Sequence, residues 1–141
     1  MKFREATVND IGAMSKVRLS VEENVLSNSA LITLQMYEDY LEKLGRGWVC
    51  EDNEQIIGFS YAVSENNSIW ALFVLPENEG KGVGKELLKL ATEWLFSSGV
   101  SKVSLSTEIN TRADGFYKSQ GWIRGAMKDD YEVIYTLLRP Y

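Results

Sequence analysis

Phe73-Val-Leu-Pro-Glu-Asn-Glu-Gly-Lys-Gly-Val-Gly-Lys-Glu-Leu-Leu88 decides how this chain folds. It begins inside an apolar run, Ile69 to Leu75, and leaves that run through a turn at Pro76. Gly80, Gly82 and Gly84 follow, where an amphipathic helix has to start. That helix carries Val83, Leu87, Leu88, Ala91, Trp94 and Leu95 on one side, and Ser97-Ser-Gly99 stops it. Glycine admits positive φ and lets a ligand approach the main chain. The first N–H groups of a helix have no internal partner, and the helix dipole adds partial positive charge there. A strand, a glycine loop and a helix N-terminus in this order predict an anion site, most naturally for phosphate.

Two common glycine loops do not fit. A dinucleotide loop needs G-x-G-x-x-G, and its third glycine falls on Lys85 counting from Gly80, or on Leu87 counting from Gly82. A nucleoside-triphosphate loop needs G-x-x-x-x-G-K followed by Ser or Thr. Gly84-Lys85 supplies its end, but Glu79 and Glu86 occupy the other required positions. The pattern therefore opposes a nucleotide-binding domain of either type.

Outward from this stretch the elements alternate. Phe3 to Ala6 is a short strand, and Thr7-Val-Asn-Asp10 resembles a capping box opening a helix striped by Ile11, Met14, Val17, Val21 and Val25. Thr33 caps a second helix with Leu34, Tyr37, Leu41 and Leu44 at helical spacing, and Gly45 and Gly47 end it. Trp48–Glu51 then turns at Asp52-Asn-Glu into Ile56–Ser64. There bulky Ile57, Phe59, Tyr61 and Val63 alternate with small or lighter neighbours, as burial with period two requires. Ile69–Leu75 is apolar on both faces and is expected at the centre of a sheet. Val100 to Thr107 is the next strand, Asn110 the N-cap and Gly121 the C-cap of a helix carrying Tyr117, and the tail adds one or two strands, clearest from Tyr131 to Leu138. The order suits a mixed α/β sheet, and no repeat or linker divides the 141 residues, so one domain over 1–141 is expected.

Composition narrows the function. The net charge of −5 argues against a nucleic-acid surface and suits a cationic acceptor. No run approaches the length of a membrane span. The start, Met1-Lys-Phe-Arg-Glu, has no apolar signal region, so cytoplasmic residence is the expectation. A single cysteine, Cys50, rules out an intramolecular disulfide and reads as an inert strand residue. There is no histidine, which excludes Ser-His-Asp and Cys-His catalysis.

Two blocks carry a resemblance. Glu79-Gly-Lys-Gly82-Val-Gly84 is similar to the coenzyme A-binding motif Gln/Arg-x-x-Gly-x-Gly/Ala of the Gcn5-related N-acetyltransferases, the GNAT family. Asn110-Thr-Arg-Ala113-Asp-Gly-Phe116-Tyr117-Lys-Ser-Gln-Gly121-Trp122 resembles that family's N-x-x-A-x-x-x-Y-x-x-x-G-F segment. The resemblance extends over nearly the whole chain and implies a mostly antiparallel mixed sheet flanked by helices. It also implies acetyl transfer from acetyl-coenzyme A to a primary amine by direct attack, with no metal, on a small-molecule or peptide acceptor. A homodimer is compatible with it. The alternative is a non-catalytic acyl-coenzyme A-binding or regulatory domain on the same fold. Glu79 departs from the motif; a carboxylate beside a pyrophosphate is unfavourable, so Glu79 is expected to point to solvent.

The resemblance implies roles residue by residue. Backbone groups of Gly80, Lys81, Gly82, Val83, Gly84 and Lys85 hold the pyrophosphate, with charge from the two lysines. Arg112 and Lys118 reach toward the nucleotide end. Main-chain groups of Leu72, Phe73 and Val74 meet the pantetheine amides where the central strand splays from its neighbour, and Asn110 contacts the same arm. Tyr117 sits by the thioester sulfur and hydrogen-bonds it as it departs; the plainer reading packs its ring on the sheet beside Phe116. The acceptor amine must also lose a proton. A lysine-like amine has a pKa near 10.4, so about one molecule in 2,500 is free base at neutral pH. Without histidine, a carboxylate or relayed water has to take it, and Glu108 and Glu22 are the candidates. Arg18 falls in the middle of the first helix's apolar stripe. It either pairs with Glu22 four residues on or lines the acceptor cleft.

Overall fold

The computed structural model describes residues 1–21 and 45–140. Within them lie seven strands and three α-helices: β1 (Lys2–Glu5), α1 (Ile11–Val21), β2 (Gly45–Asp52), β3 (Gln55–Val63), β4 (Ser68–Val74), α2 (Val83–Phe96), β5 (Lys102–Glu108), α3 (Arg112–Ser119), β6 (Ile123–Met127) and β7 (Glu132–Leu138). Glu22, Val25 and the helix expected from Thr33 lie outside the described residues. One mixed sheet runs β1-β2-β3-β4-β5-β7-β6, antiparallel at every neighbouring pair except β4–β5. β4 is thus the middle strand, as its two apolar faces require.

The alternation along β3 decides which helix lies on which face. Ser60 Oγ donates to the Leu87 carbonyl at 3.0 Å, so the small residues face α2. A Cβ added to Gly58 would press on Leu87 and Val83 of that helix, which is why the position is bare. The bulky residues face α1: the Tyr61 hydroxyl meets Met14 Sδ at 3.9 Å. Phe59 and Tyr61 are fully buried there with Met14 and Val17. On the α2 side Trp48 packs edge-on against Trp94, centroids 6.0 Å apart, which makes Trp48 a core residue. Cys50 is fully buried, and burial raises its thiol pKa; it is inert, as expected.

The capping box at the first helix is present. The Asp10 carboxylate accepts from the Thr7 N–H at 2.8 Å and opens a 3-10 turn, Val8–Asp10, that runs into α1. The same carboxylate receives two nitrogens of Arg4, at 2.8 and 2.9 Å, while Arg4 Nε also meets Glu51. Arg4 is the main cause holding the Asp10 pKa below its usual range. This clamp ties β1 to the start of α1.

One expectation is corrected and two gain detail. Gly45 and Gly47 are the first and third residues of β2, opposite Val63 and Tyr61, and the helix they were expected to end lies outside the described residues. A Cβ on Gly45 would collide with the Ala62 carbonyl, so glycine serves close strand approach there. The cap of α3 is Thr111 rather than Asn110: Thr111 Oγ1 accepts from the Asp114 N–H, while Asn110 sits one residue earlier at φ 62°. The tail contains both β6 and β7, and β6 is exposed along its whole length at the sheet edge.

Candidate functional site

The sheet parts at its middle. β4 and β5 are paired at one register position, Ser68 with Ser104, next to a bond from the Ser104 N–H to the Asn67 carbonyl. β5 continues along β7 from Lys102 to Glu108, and β4 stays with β3 as far as Gly58 and Val74. The two halves therefore diverge toward the C-terminal ends of these parallel strands, where open α/β sheets bind ligands.

The phase of pairing identifies which backbone groups the divergence leaves over. The Leu75 N–H bonds the Ile57 carbonyl at 2.8 Å, and the register continues through Phe73 opposite Phe59. Hydrogen bonding alternates along an antiparallel strand. Phe73 is therefore turned to β3, and the N–H and C=O of Leu72 and Val74 point to the open β5 side. Of the three strand residues expected to contribute main-chain groups, the geometry favours Leu72 and Val74 and turns Phe73 away. The register shifts between Tyr61 and Ala62, which lie opposite Ala71 and Ile69, leaving Trp70 as an extra residue in β4. Its ring lies 5.2 Å from Tyr61.

The glycine loop closes the wide end of the cleft. Gly80 and Gly82 have φ of 79° and 82°, a region costly for other residues, and no atom lies within 4 Å of where their Cβ would be. Gly82 is the N-cap of α2 and offers no side chain to cap it. The first intrahelical bond in that turn runs from the Glu86 N–H to the Gly82 carbonyl at 3.1 Å. The N–H groups of Val83, Gly84 and Lys85 are left without helical partners. The α3 N-terminus differs: Thr111 caps it, and Asp114 also receives the Asn110 N–H at 3.3 Å. A Cβ on Gly84 would meet Phe116 Cζ and Val74 at 3.6 Å, so the two helix starts flank the same mouth.

Glu79 does not point away from the loop. Its Oε2 lies 2.8 Å from Nη1 of Arg112, the first residue of α3, and the pair spans the two helix starts. A positive partner from elsewhere in the chain is what keeps this carboxylate beside an anion loop.

Tyr117 is 6% exposed, with the rings of Phe116, Trp122 and Tyr135 at 5.4, 5.9 and 5.7 Å. The ring is core, as the plainer reading of this residue has it. The hydroxyl, however, has no hydrogen-bond partner among the described residues. Leaving a buried hydroxyl unpaired costs about 1–3 kcal/mol, so this one calls for a partner beyond the described side chains, a water or a ligand. Burial also pushes its pKa well above the tyrosine value, so the phenol keeps its proton.

The turn after α3 fixes this ring. The Trp122 N–H bonds the Tyr117 carbonyl at 3.1 Å and the Gly121 N–H bonds that of Lys118 at 3.2 Å, with Gly121 at φ 89°. This is a Schellman end, and its usual apolar contact is the Tyr117–Trp122 ring pair. Tyr135 completes the support: its hydroxyl donates to the Asp114 carbonyl oxygen and carboxylate, and Arg124 grips the same carboxylate at 3.0 Å. Arg124 first, then Tyr135, hold Asp114 at a pKa of about 2. Sequence reading missed Trp122, Asp114 and Tyr135 as supports; only the Gly121-Trp122 end was visible as a signal.

On the opposite face Arg18 is 6% exposed on α1, consistent with its place in the apolar stripe. Glu108 ends β5 opposite Glu132. Glu22 lies outside the described residues. A depression of about 450 Å³ lies between α1, the β2–β3 turn and the turn after β4, lined by Lys16, Ser20, Glu54, Gln55, Leu75 and Glu77 among others. No cluster fit to hold a metal and no helix long and apolar enough to cross a membrane is found among the described residues.

Known proteins share this architecture. The Acetyltransferase (GNAT) family pattern matches residues 17–122. An "uncharacterized N-acetyltransferase" of Pyropia yezoensis is 29% identical over 75 residues, 51% of this chain and 42% of that protein, so the chain matches less than half of that relative. The ribosomal-protein-alanine N-acetyltransferase of Brucella melitensis superposes with TM-score 0.81 at 20% identity, covering 99% of this chain and 100% of that one. A protein assigned as a streptothricin acetyltransferase from Bacillus anthracis, in complex with acetyl coenzyme A, gives 0.76 at 20% identity over 98% and 99%. The PaiA N-acetyltransferase of Thermoplasma acidophilum, in complex with coenzyme A, gives 0.82 at 15% identity over 98% of both chains.

Proposed function

The chain belongs to the acetyltransferase (GNAT) family, and on that premise we propose that it is an acetyl-coenzyme A-dependent N-acetyltransferase, one catalytic domain over residues 1–141, acting on a primary amine by direct attack. The observation that carries this reading is the divergence of β4 from β5 beyond Ser68 and Ser104, with an uncapped helix start at its wide end. Coenzyme A suits the groups present. Its diphosphate matches the free amides of Val83, Gly84 and Lys85, its pantetheine amides match the spare edge of β4, and its thiol end matches the unpartnered phenol.

Bound acetyl-coenzyme A supplies an activated thioester and a thiolate leaving group. The protein supplies position and hydrogen bonds. Gly80 and Gly82 bring the main chain close to the phosphates, and Lys81 and Lys85 add charge there. Leu72 and Val74 receive the pantetheine arm as an added strand, and Asn110, at positive φ before α3, bonds the same arm. Tyr117 donates a hydrogen bond to the sulfur. Even at ordinary values of about 10 and 8.5, moving its proton to a thiolate is uphill by about 2 kcal/mol. Its raised pKa widens that gap, so Tyr117 serves as a donor that retains its proton.

The acceptor is a small molecule carrying an amine. The acidic balance of the chain favours a cationic one, and Arg18 with Glu108 on the α1 face of the sheet would meet its remaining polar groups. Calorimetry with acetyl-coenzyme A, coenzyme A and ATP tests the cofactor: the first two should bind and the third should not. An acetyl-transfer screen over amine libraries, read by free thiol, tests the reaction. Coenzyme binding with no thiol release on any amine would replace the enzyme by a non-catalytic binding domain.

A further inference from the structure

A carboxylate inside an anion loop needs a physical reason. Glu79 immediately precedes Gly80 and is paired at 2.8 Å with Arg112, whose side chain is 69% exposed. Neither residue serves its own element. A cation at a helix N-terminus opposes the dipole, and α3 is already capped by Thr111 and Asp114. Exposed ion pairs add little to stability. What the pair does is hold a guanidinium between two helix starts, one of them with free amides. A guanidinium accepts a carboxylate and a phosphate in the same forked geometry.

We propose that Glu79 is a resident anion that occupies Arg112 in the free protein, and that a phosphate of the cofactor displaces it and takes Arg112 as its ligand. The inference rests on the coenzyme A reading and adds an ion exchange to it. No covalent bond changes; the guanidinium trades one oxyanion for another, and Glu79 is released beside the bound phosphates. The exchange sets the cofactor affinity lower than an unopposed arginine would, which favours release of the spent coenzyme. A pair that merely straps the two helix starts together would stay closed in the complex, and the two roles differ in sign.

Titration calorimetry of coenzyme A and dephospho-coenzyme A into the wild-type protein, E79Q, R112Q and the double variant decides between them. Exchange requires E79Q to bind coenzyme A about threefold tighter, and R112Q to weaken binding more in the E79Q background than alone. If dephospho-coenzyme A shows the same pattern, the displacing group is the diphosphate; if the pattern vanishes, it is the terminal 3′-phosphate. Unchanged or weaker binding by E79Q, with wild-type affinity intact, overturns the exchange and leaves the coenzyme reading standing. Absence of coenzyme binding by the wild-type protein overturns both.

Discussion

At the scale of single residues, the proposed chemistry rests on a phenol whose ring is packed and whose hydroxyl is not hydrogen-bonded by any described residue. The ring of Tyr117 is held by three aromatic neighbours, but its hydroxyl has no hydrogen-bond partner among the described residues. Tyr117→Phe therefore keeps the packing and removes a desolvated polar group. Its melting temperature should equal or exceed that of the wild type. Its turnover should fall about ten- to a hundredfold, the worth of a hydrogen bond to a charged group, with coenzyme A affinity within about twofold. Equal turnover in the variant would remove the role assigned to the hydroxyl. Asp114 acts one step away, through Tyr135 and Arg124. Its folded pKa of about 2 lies below the ordinary 3.8. The sign follows: its stabilisation is present above 3.8, and is lost as pH falls through about 2. Because Arg124 is largely solvated, the contribution is about 1 kcal/mol. Asp114→Asn should lower the melting temperature by a few degrees at neutral pH and flatten its decline in acid. An unchanged acid limb in thermal melts would show that the carboxylate is not clamped in solution. None of these supports was visible beforehand, because Tyr135 and Arg124 meet Asp114 only once β6 and β7 are registered against each other.

At the scale of elements, the strand-loop-helix unit from Ile69 to Phe96 was legible because every local signal agreed: apolar run, proline turn, glycines, then a strong helical stripe. Failure came where one residue type serves two purposes. Gly45 and Gly47 look like a helix stop but also lie in β2, and the close approach of the Ala62 carbonyl to Gly45 leaves no mark in sequence. Asn110 and Thr111 are both good caps, and the choice fell to Thr111 because Asn110 tolerates the left-handed turn that precedes it. Of the one or two strands expected in the tail, β6 was the less legible because an exposed edge strand has no apolar alternation. The same distinction between conformation and space separates the loop glycines. Gly82→Ala meets no atom but is strained at φ 82°, by about 1–2 kcal/mol. That strain falls on the start of α2, so the variant should bind coenzyme A about tenfold more weakly. Gly84→Ala places its methyl at ordinary contact distance from Phe116 and Val74, without positive φ, and should bind within about twofold of wild type. Calorimetry on the two variants checks both, and equal losses at the two positions would mean that backbone conformation is not what the loop glycines supply.

At the scale of the whole molecule, the chain builds two half-sheets joined at one parallel register position, and the proposed chemistry lies in the gap between them. The gap was expected only through the family resemblance: a sequence names strands, but divergence depends on which strands stop sharing hydrogen bonds, here decided by β5 staying with β7 while β4 stays with β3. One global property was legible and carries a kinetic consequence. The chain contains no histidine, so no side chain with an ordinary pKa near neutrality is present to remove the acceptor's proton. Tyr117, whose pKa burial raises, keeps its proton. The acceptor's own amine is then the group whose titration governs the rate. For an alkylamine of pKa near 10.4, kcat/KM should rise about tenfold per pH unit between about pH 6.5 and 9, without a plateau. Changing to an amine with a lower pKa should move the whole profile down in pH by the same interval. Initial rates of thiol release measured across that range with two such amines check this. A plateau near neutrality common to both would assign the controlling proton to the protein rather than to the acceptor.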